Sequence, residues 1–350
     1  MEMTIYLVNM ALLIGWALLL MRHDIPSRRG WFVSFATIQW IVLSGLRDIS
    51  VGDDTAQYKA LFLQSQSLPL HAFTDRFFQI LFTESEDPGY YLFQRLLQYV
   101  ITDYQVYLVI VAMIFMIPLG YFIYKYSSEA LISFLLFSVL FYEFFAVTGL
   151  RQTIATALVV LVGYHFVRAR KLGWFLLIVF VAMTIHKSAL IFLPFYFLAN
   201  KQLTKAYVMT MFGVIIGLFL FRNTFFDLLV QVSGYDTYSA MDGAGAVNFS
   251  IMLITVLIVA LWRRDVILQH NPSAIHFFNA LLLAACLLPL TFLNPSMMRL
   301  VQYFSLFLLL MIPEIVGTFE RRERLVVYYS AVMLLGLLFV REAPVYSFFW

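Results

Sequence analysis

"WFLLIVFVAMTIHKSALIFLPFYFLA", residues 174–199, decides the architecture. The run is long enough for one tilted membrane helix, yet His186, Lys187 and Ser188 interrupt it near its middle. It is either one span or two short ones. The bias of Lys and Arg toward the cytoplasmic side of a membrane separates the two. With two segments, one set of alternate loops holds 14 of the 23 basic residues, among them Arg28, Arg29, Lys125, Arg168, Arg170, Lys171, Arg263, Arg264 and Arg322. With one segment, every later loop changes sides and seven of those bases move outside. The sequence therefore predicts two short segments, both termini outside and about twelve crossings.

The rest of the chain fits that reading. Of 350 residues, 62% are hydrophobic and only 12% charged, too little polar surface to wrap a soluble core. Apolar runs of membrane length recur, at 4–21, 31–46, 105–124, 130–146, 151–167, 206–221, 248–262, 275–293, 300–317 and 325–340. The expected fold class is all-α, a polytopic integral membrane protein with about 11–12 transmembrane helices, treated as a single transmembrane domain over 1–350. The first run has no basic flank ahead of it and no small-residue cleavage site after it, so it reads as a retained span. The single Cys286 lies inside an apolar run, which excludes a disulfide and a cysteine metal cluster. The basic residues sit in short loops between spans, so the net charge of +3 does not point to nucleic acid.

Two outer loops stand out. The large one, 47–103, carries eight acids against four bases and is too long to lack structure. Within it, "DPGYYLFQRLLQYVI" reads as Asp87 before Pro88 at a helix start, with Leu92, Phe93, Leu96, Leu97, Val100 and Ile101 on one face. "LPLHAFTDRFFQILF" is similarly amphipathic, and both are expected to lie along the membrane surface. The second loop, 222–247, carries "SGYDTYSAMDGAGA" and reads as mobile. In "GDDTAQY", Asp54 and Gln57 have the spacing of a capping box.

The cap leaves the cations unexplained. Arg47 follows the second span, Arg151 and Lys187 open later ones, and Arg299 lies in the first turns of another. A helix N-terminus carries partial positive charge, so a cation there is unfavourable by roughly 0.3–1 kcal/mol. Several of them make sense if an anion meets them, because helix-end amides and Arg together form a phosphate site. Snorkelling to lipid headgroups is the alternative. His186, at the helix break, is expected at the bottom of an outward-facing cleft.

In order along the chain come Arg47, "GDDTAQY", "DPGY", "RQTIA", "HKSAL" and "RLVQYF". This succession resembles the EpsG/Wzy-like family of bacterial polysaccharide polymerases, with Asp87 standing where the family pattern has Glu. The resemblance implies a multi-pass enzyme of the bacterial inner membrane. It would join undecaprenyl-pyrophosphate-linked oligosaccharide units at the periplasmic face, building O-antigen, capsule or exopolysaccharide. It implies no cofactor and no metal, and as partners membrane lipids and the flippase and chain-length regulator of the same pathway. Departure of a pyrophosphate needs positive charge where negative charge grows, with Arg47, Arg151 and Arg299 as candidates. A sugar hydroxyl needs a general base, with Asp54 first and His186 second. Tyr58, Asp87 and Tyr90 are candidate glycan contacts. Two other classes share features with this one. A transporter or flippase would bury charges mid-span, whereas these lie at outer ends. A membrane acyltransferase acting on glycans would use an intramembrane histidine, a role open to His186.

Overall fold

The structure is a computed structural model that describes every residue except 1, 21–25, 76, 84–86, 234–246 and 343–345. The segment expected to be mobile, 233–246, falls almost wholly outside the described residues, as does Arg22. The described residues are overwhelmingly helical, and their single isolated bridge joins Arg47 to Phe348.

Helices form over each of the apolar runs. Among the described residues three are long and apolar enough to cross a membrane, namely Tyr104–Tyr126, Leu150–Arg168 and Pro272–Thr291, and the number rises to five if each of two bent pairs is one span. The bends are corrections to the sequence reading. Lys205–Leu220 turns by 81° into Arg222–Leu229, so the start of the 222–247 loop is helical. The expected span 300–317 is bent by 53° between Pro295–Ser305 and Leu308–Gly317. The decisive stretch does break. Helix Leu172–Ile185 stops at His186, which is extended (φ −158°, ψ 113°), and a 3₁₀ turn Lys187–Phe192 and a short helix Phe195–Leu198 follow. At about 1.5 Å per residue, Leu172–Ile185 rises only about 21 Å, short of a core of about 30 Å.

Helix starts follow local chemistry. Asp103 accepts from the Val106 N–H at 3.0 Å and Thr204 from Tyr207 at 3.2 Å. Asn271 and Asn294 each accept from the residue two on and are followed by proline at the first helical position. The outer surfaces are apolar. Met209, Leu220, Trp262 and Met333 are all well exposed, the pattern of a protein whose solvent is lipid.

The chain divides into two compact units. One comprises Met1–Phe77, Pro88–Ala157 and Phe319–Trp350, the other Phe78–Asp87 and Leu158–Thr318. In the first unit, helices Pro26–Gly45 and Tyr104–Tyr126 pack most extensively. They approach closely because a Cβ at Gly45 would meet the Val109 backbone at 2.8 Å and one at Gly120 would strike Thr37. Trp40 anchors an aromatic cluster with Phe137, Tyr142 and Phe339. In the second unit the almost fully buried helix Pro272–Thr291 is the axis, with Met298–Ser305, Lys205–Leu220 and Val247–Trp262 around it.

Candidate active site

The loop after helix Pro26–Gly45 is tied down by one carbonyl. Arg47 is buried to 1% exposure, and its guanidinium donates to the carbonyls of Ser44 and, at 3.2 Å, Val147. Burial depresses its pKa from the usual guanidinium value. The Thr55 hydroxyl lies 3.4 Å from the same Val147 oxygen and 2.7 Å from that of Val51. Gly52 completes the lock. Its φ is +91°, and a Cβ there would come within 2.6 Å of the Val147 side chain and 2.8 Å of its carbonyl. Only glycine meets both demands. The C-terminal tail closes the far side, with the Asp48 N–H on Ser347 at 2.9 Å and the Phe349 N–H on Leu46 at 3.2 Å.

Asp54 heads helix Thr55–Gln66 without the expected cap. Its side chain makes no capping bond and its backbone is already helical (φ −97°, ψ −12°), whereas a capping residue is normally extended so that its oxygen can reach back. The capping-box reading is thereby corrected. Asp54 is half-buried and stands one helical turn before Tyr58, whose N–H bonds its carbonyl at 2.9 Å.

Arg151 is the second residue of helix Leu150–Thr156. That helix is preceded by a π-helical turn, Glu143–Val147, and by Gly149 in the left-handed region, and a second π-helical turn, Ala157–Val162, follows it. Such π turns in α-helices gather at functional sites. Its guanidinium carbon lies 5.9 Å from the ring centre of Tyr58, 5.8 Å from Tyr90 and 6.0 Å from Tyr91. Each distance is at the outer edge of useful cation–π attraction, so the rings act chiefly as walls that fix where the charge stands. Tyr90 is fully buried and its hydroxyl meets that of Tyr107 at 3.1 Å. Desolvation pushes its pKa well up, so it stays a neutral phenol. Its helix, Pro88–Leu97, is inverted relative to a soluble protein: Tyr90, Gln94 and Gln98 face inward, while Val100, just beyond it, is 86% exposed. Gln94 and Gln98 both donate to Ser65, at 2.7 and 2.9 Å, which ties this helix to the Tyr58 helix.

The second unit holds a different pair. His186 Nδ1 lies 3.0 Å from Asp87 Oδ2, and the Lys187 N–H donates to Asp87 Oδ1 at 3.3 Å. Asp87 has no exposed surface. A carboxylate facing Nδ1 fixes the tautomer with its proton on Nδ1, leaving the Nε2 lone pair to accept a proton. The Ser188 hydroxyl meets the Tyr303 hydroxyl at 2.9 Å. Arg299 is half-buried one turn before Tyr303, in helix Met298–Ser305.

The structure thus gathers Arg151, Tyr58 and Tyr90 in one unit, with Asp54 one turn away, and Asp87 and His186 in the other. Arg47 is turned onto backbone carbonyls, as a brace for the segment leading to Arg151. Sequence reasoning missed the Asp87–His186 bond and the Ser188–Tyr303 bond. All four residues lie in quoted motifs, but 99 positions separate the first pair and 115 the second. Among the described residues no group of three or more His, Cys, Asp or Glu is placed to hold a metal ion.

The helices and buried polar clusters define a membrane-type, all-helical protein with acid, base and cation held at helix breaks and starts. Its family follows from comparison. The EpsG family model matches residues 30–349, nearly the whole chain, and the protein belongs to that family of Wzy-like polysaccharide polymerases. No curated protein and no solved structure matches it.

Proposed function

We propose that this polymerase joins undecaprenyl-pyrophosphate-linked oligosaccharide units at the periplasmic face of the bacterial inner membrane. The observation that carries the chemistry is the buried Asp87–His186 hydrogen bond at 3.0 Å. His186 Nε2 takes the proton from the attacking sugar hydroxyl. The new C–O bond forms at the anomeric carbon of the growing chain, and the bond to the lipid pyrophosphate breaks with its electron pair on the departing oxygen. Asp87 does not change protonation; it orients the ring and stabilises the imidazolium. Arg151 meets the pyrophosphate, its fork matching two phosphate oxygens, and Tyr58, Tyr90 and Tyr91 set that fork's position. Arg299 is assigned to phosphate binding within the second unit. Asp54, one turn from Tyr58, is assigned to sugar hydroxyls, and Arg47 to positioning.

A strain lacking the protein should accumulate lipid-linked single repeats, and wild-type protein should restore long chains. His186→Ala should reach normal membrane levels and leave the single repeats unjoined. Long chains from His186→Ala would remove the base from the scheme. An untouched pool of single repeats alongside missing acyl groups in the null strain would favour the acyltransferase reading instead.

A further inference from the structure

His186 is the junction of two helix ends. Helix Leu172–Ile185 stops at it and the 3₁₀ turn Lys187–Phe192 starts from it, so no regular element carries the residue. Its backbone N–H donates to Ala182 at 2.8 Å and its carbonyl accepts from Ala189 at 3.0 Å, and its side chain does not cap the turn. Where the imidazole stands is therefore set by where the turn is held. A short 3₁₀ turn has poorer internal hydrogen bonds than an α-helix, so outside contacts decide its position.

Two such contacts grip its first residues. The Lys187 N–H donates to Asp87, the partner of His186 Nδ1. The Ser188 hydroxyl meets the Tyr303 hydroxyl at 2.9 Å. Tyr303 stands on a firm base. It has no exposed surface, and its helix, Met298–Ser305, packs along the almost fully buried Pro272–Thr291. One residue on, Phe304 stacks on Phe192 of the turn, with ring centres 5.3 Å apart and 29° between planes. Ala189 and Phe192 are fully buried while Leu190 is 45% exposed, so the turn is packed on one face and open on the other. Apolar packing of this kind is non-directional, whereas a hydrogen bond fixes both a length and a direction. The one from Tyr303 lies two residues from His186.

We infer that Tyr303 is a positioning residue for His186, acting through the Ser188 hydroxyl, an assignment that rests on the polymerase reading. Reacting groups must be held within about 0.5 Å of their productive places by the residues behind them. Asp87 orients the ring, and Tyr303 sets the backbone from which the ring departs. Neither Ser188 nor Tyr303 handles the transferred proton.

The test is consumption of lipid-linked repeats by the full-length protein in membrane vesicles, with kcat and KM separated and rates normalised to folded protein. Tyr303→Phe keeps the ring and its packing. It should lower kcat by about 2- to 13-fold, the range that one neutral hydrogen bond spans, with KM within about twofold of the wild type. Ser188→Ala should fall in the same range, and Ser188→Thr, which keeps a hydroxyl, should retain most of the wild-type kcat. The double variant Ser188→Ala with Tyr303→Phe should lose no more than Tyr303→Phe alone. Losses that multiply in the double variant would overturn the inference, as would a wild-type kcat in Tyr303→Phe while His186→Ala is inactive. A raised KM at unchanged kcat would overturn it too, by making the pair a substrate contact. Wild-type turnover by His186→Ala would instead remove the base from the polymerase reading, and this assignment with it.

Discussion

Replacing Asp87 by Asn tests the base in the proposed reaction most directly. The fully buried carboxylate accepts from the Lys187 N–H at 3.3 Å and at His186 Nδ1 at 3.0 Å. A carboxamide has nearly the same shape but only one accepting atom. If its oxygen stays with Lys187, its NH₂ faces Nδ1, and the imidazole must move its proton to Nε2 to avoid two donors meeting. That tautomer has no lone pair where the sugar hydroxyl would lie. If the amide turns the other way, Lys187 loses its acceptor. The lost charge-assisted hydrogen bond is worth about 1.5–3 kcal/mol, and about 1.36 kcal/mol corresponds to a decade in rate. The expected loss is therefore about 10- to 150-fold, larger if the wrong tautomer dominates. Asp87→Glu keeps the charge and adds a methylene to a filled site, costing about 1–3 kcal/mol of stability. It should be less stable and yet faster than Asn. Repeat-unit consumption in membrane vesicles, normalised to the protein present, gives the rates, and thermal unfolding in detergent gives the stabilities. Asp87→Asn turning over at the wild-type rate would refute the reasoning, and so would Glu being slower than Asn at equal protein level.

Arg151→Lys keeps the charge but loses the planar fork, so polymer should fall by at least about tenfold with single repeats building up; wild-type chain lengths would reduce Arg151 to a headgroup-seeking side chain. Asp54→Asn should insert normally, since no capping bond is lost, and should shorten the product, whereas full-length product would remove Asp54 from the site. Gly52→Ala combines a left-handed φ with a Cβ forced against Val147 and should lower stability by about 2–4 kcal/mol, read as a drop in melting temperature; an unchanged melting temperature would mean that the loop relaxes freely. With Cys286 replaced by Ala, a cysteine placed at Ser188 should react with an impermeant thiol reagent from outside and one at Gln202 should not; labelling at Gln202 would mean that 174–199 crosses once.

What the sequence revealed and what it hid divide along a physical line. Apolar runs and charge placement are local, so helix positions and the break at His186 could be read directly from the chain. Bends within apolar stretches leave no such trace. "SLFLLLMIPE" runs unbroken through the 53° turn between Ser305 and Leu308, because tertiary packing rather than composition sets it. The same gap explains the site. A cation after a span reads alike whether it awaits a phosphate or braces a carbonyl, and the fate of Arg47 depends on Val147, 100 positions away.

Two acids of the 47–103 loop, Asp54 and Asp87, show the same divide. Asp54 has the spacing of a cap, but spacing assumes an extended backbone, and the turn at Gly52 delivers Asp54 already helical. Its carboxylate is left without the local bond that would have explained it. Asp87 has equal claim by sequence to be a helix start, since Pro88 follows it at once. Its oxygens meet His186 and Lys187, a histidine and an amide supplied by the very break that the charge pattern required. An acid with no exposed surface is costly unless it is paired, and a carboxylate bonded to His186 Nδ1 is placed to stabilise the imidazolium that general-base catalysis creates. That coupling makes Asp87 and His186, and not Asp54, the pair on which the proposed chemistry turns.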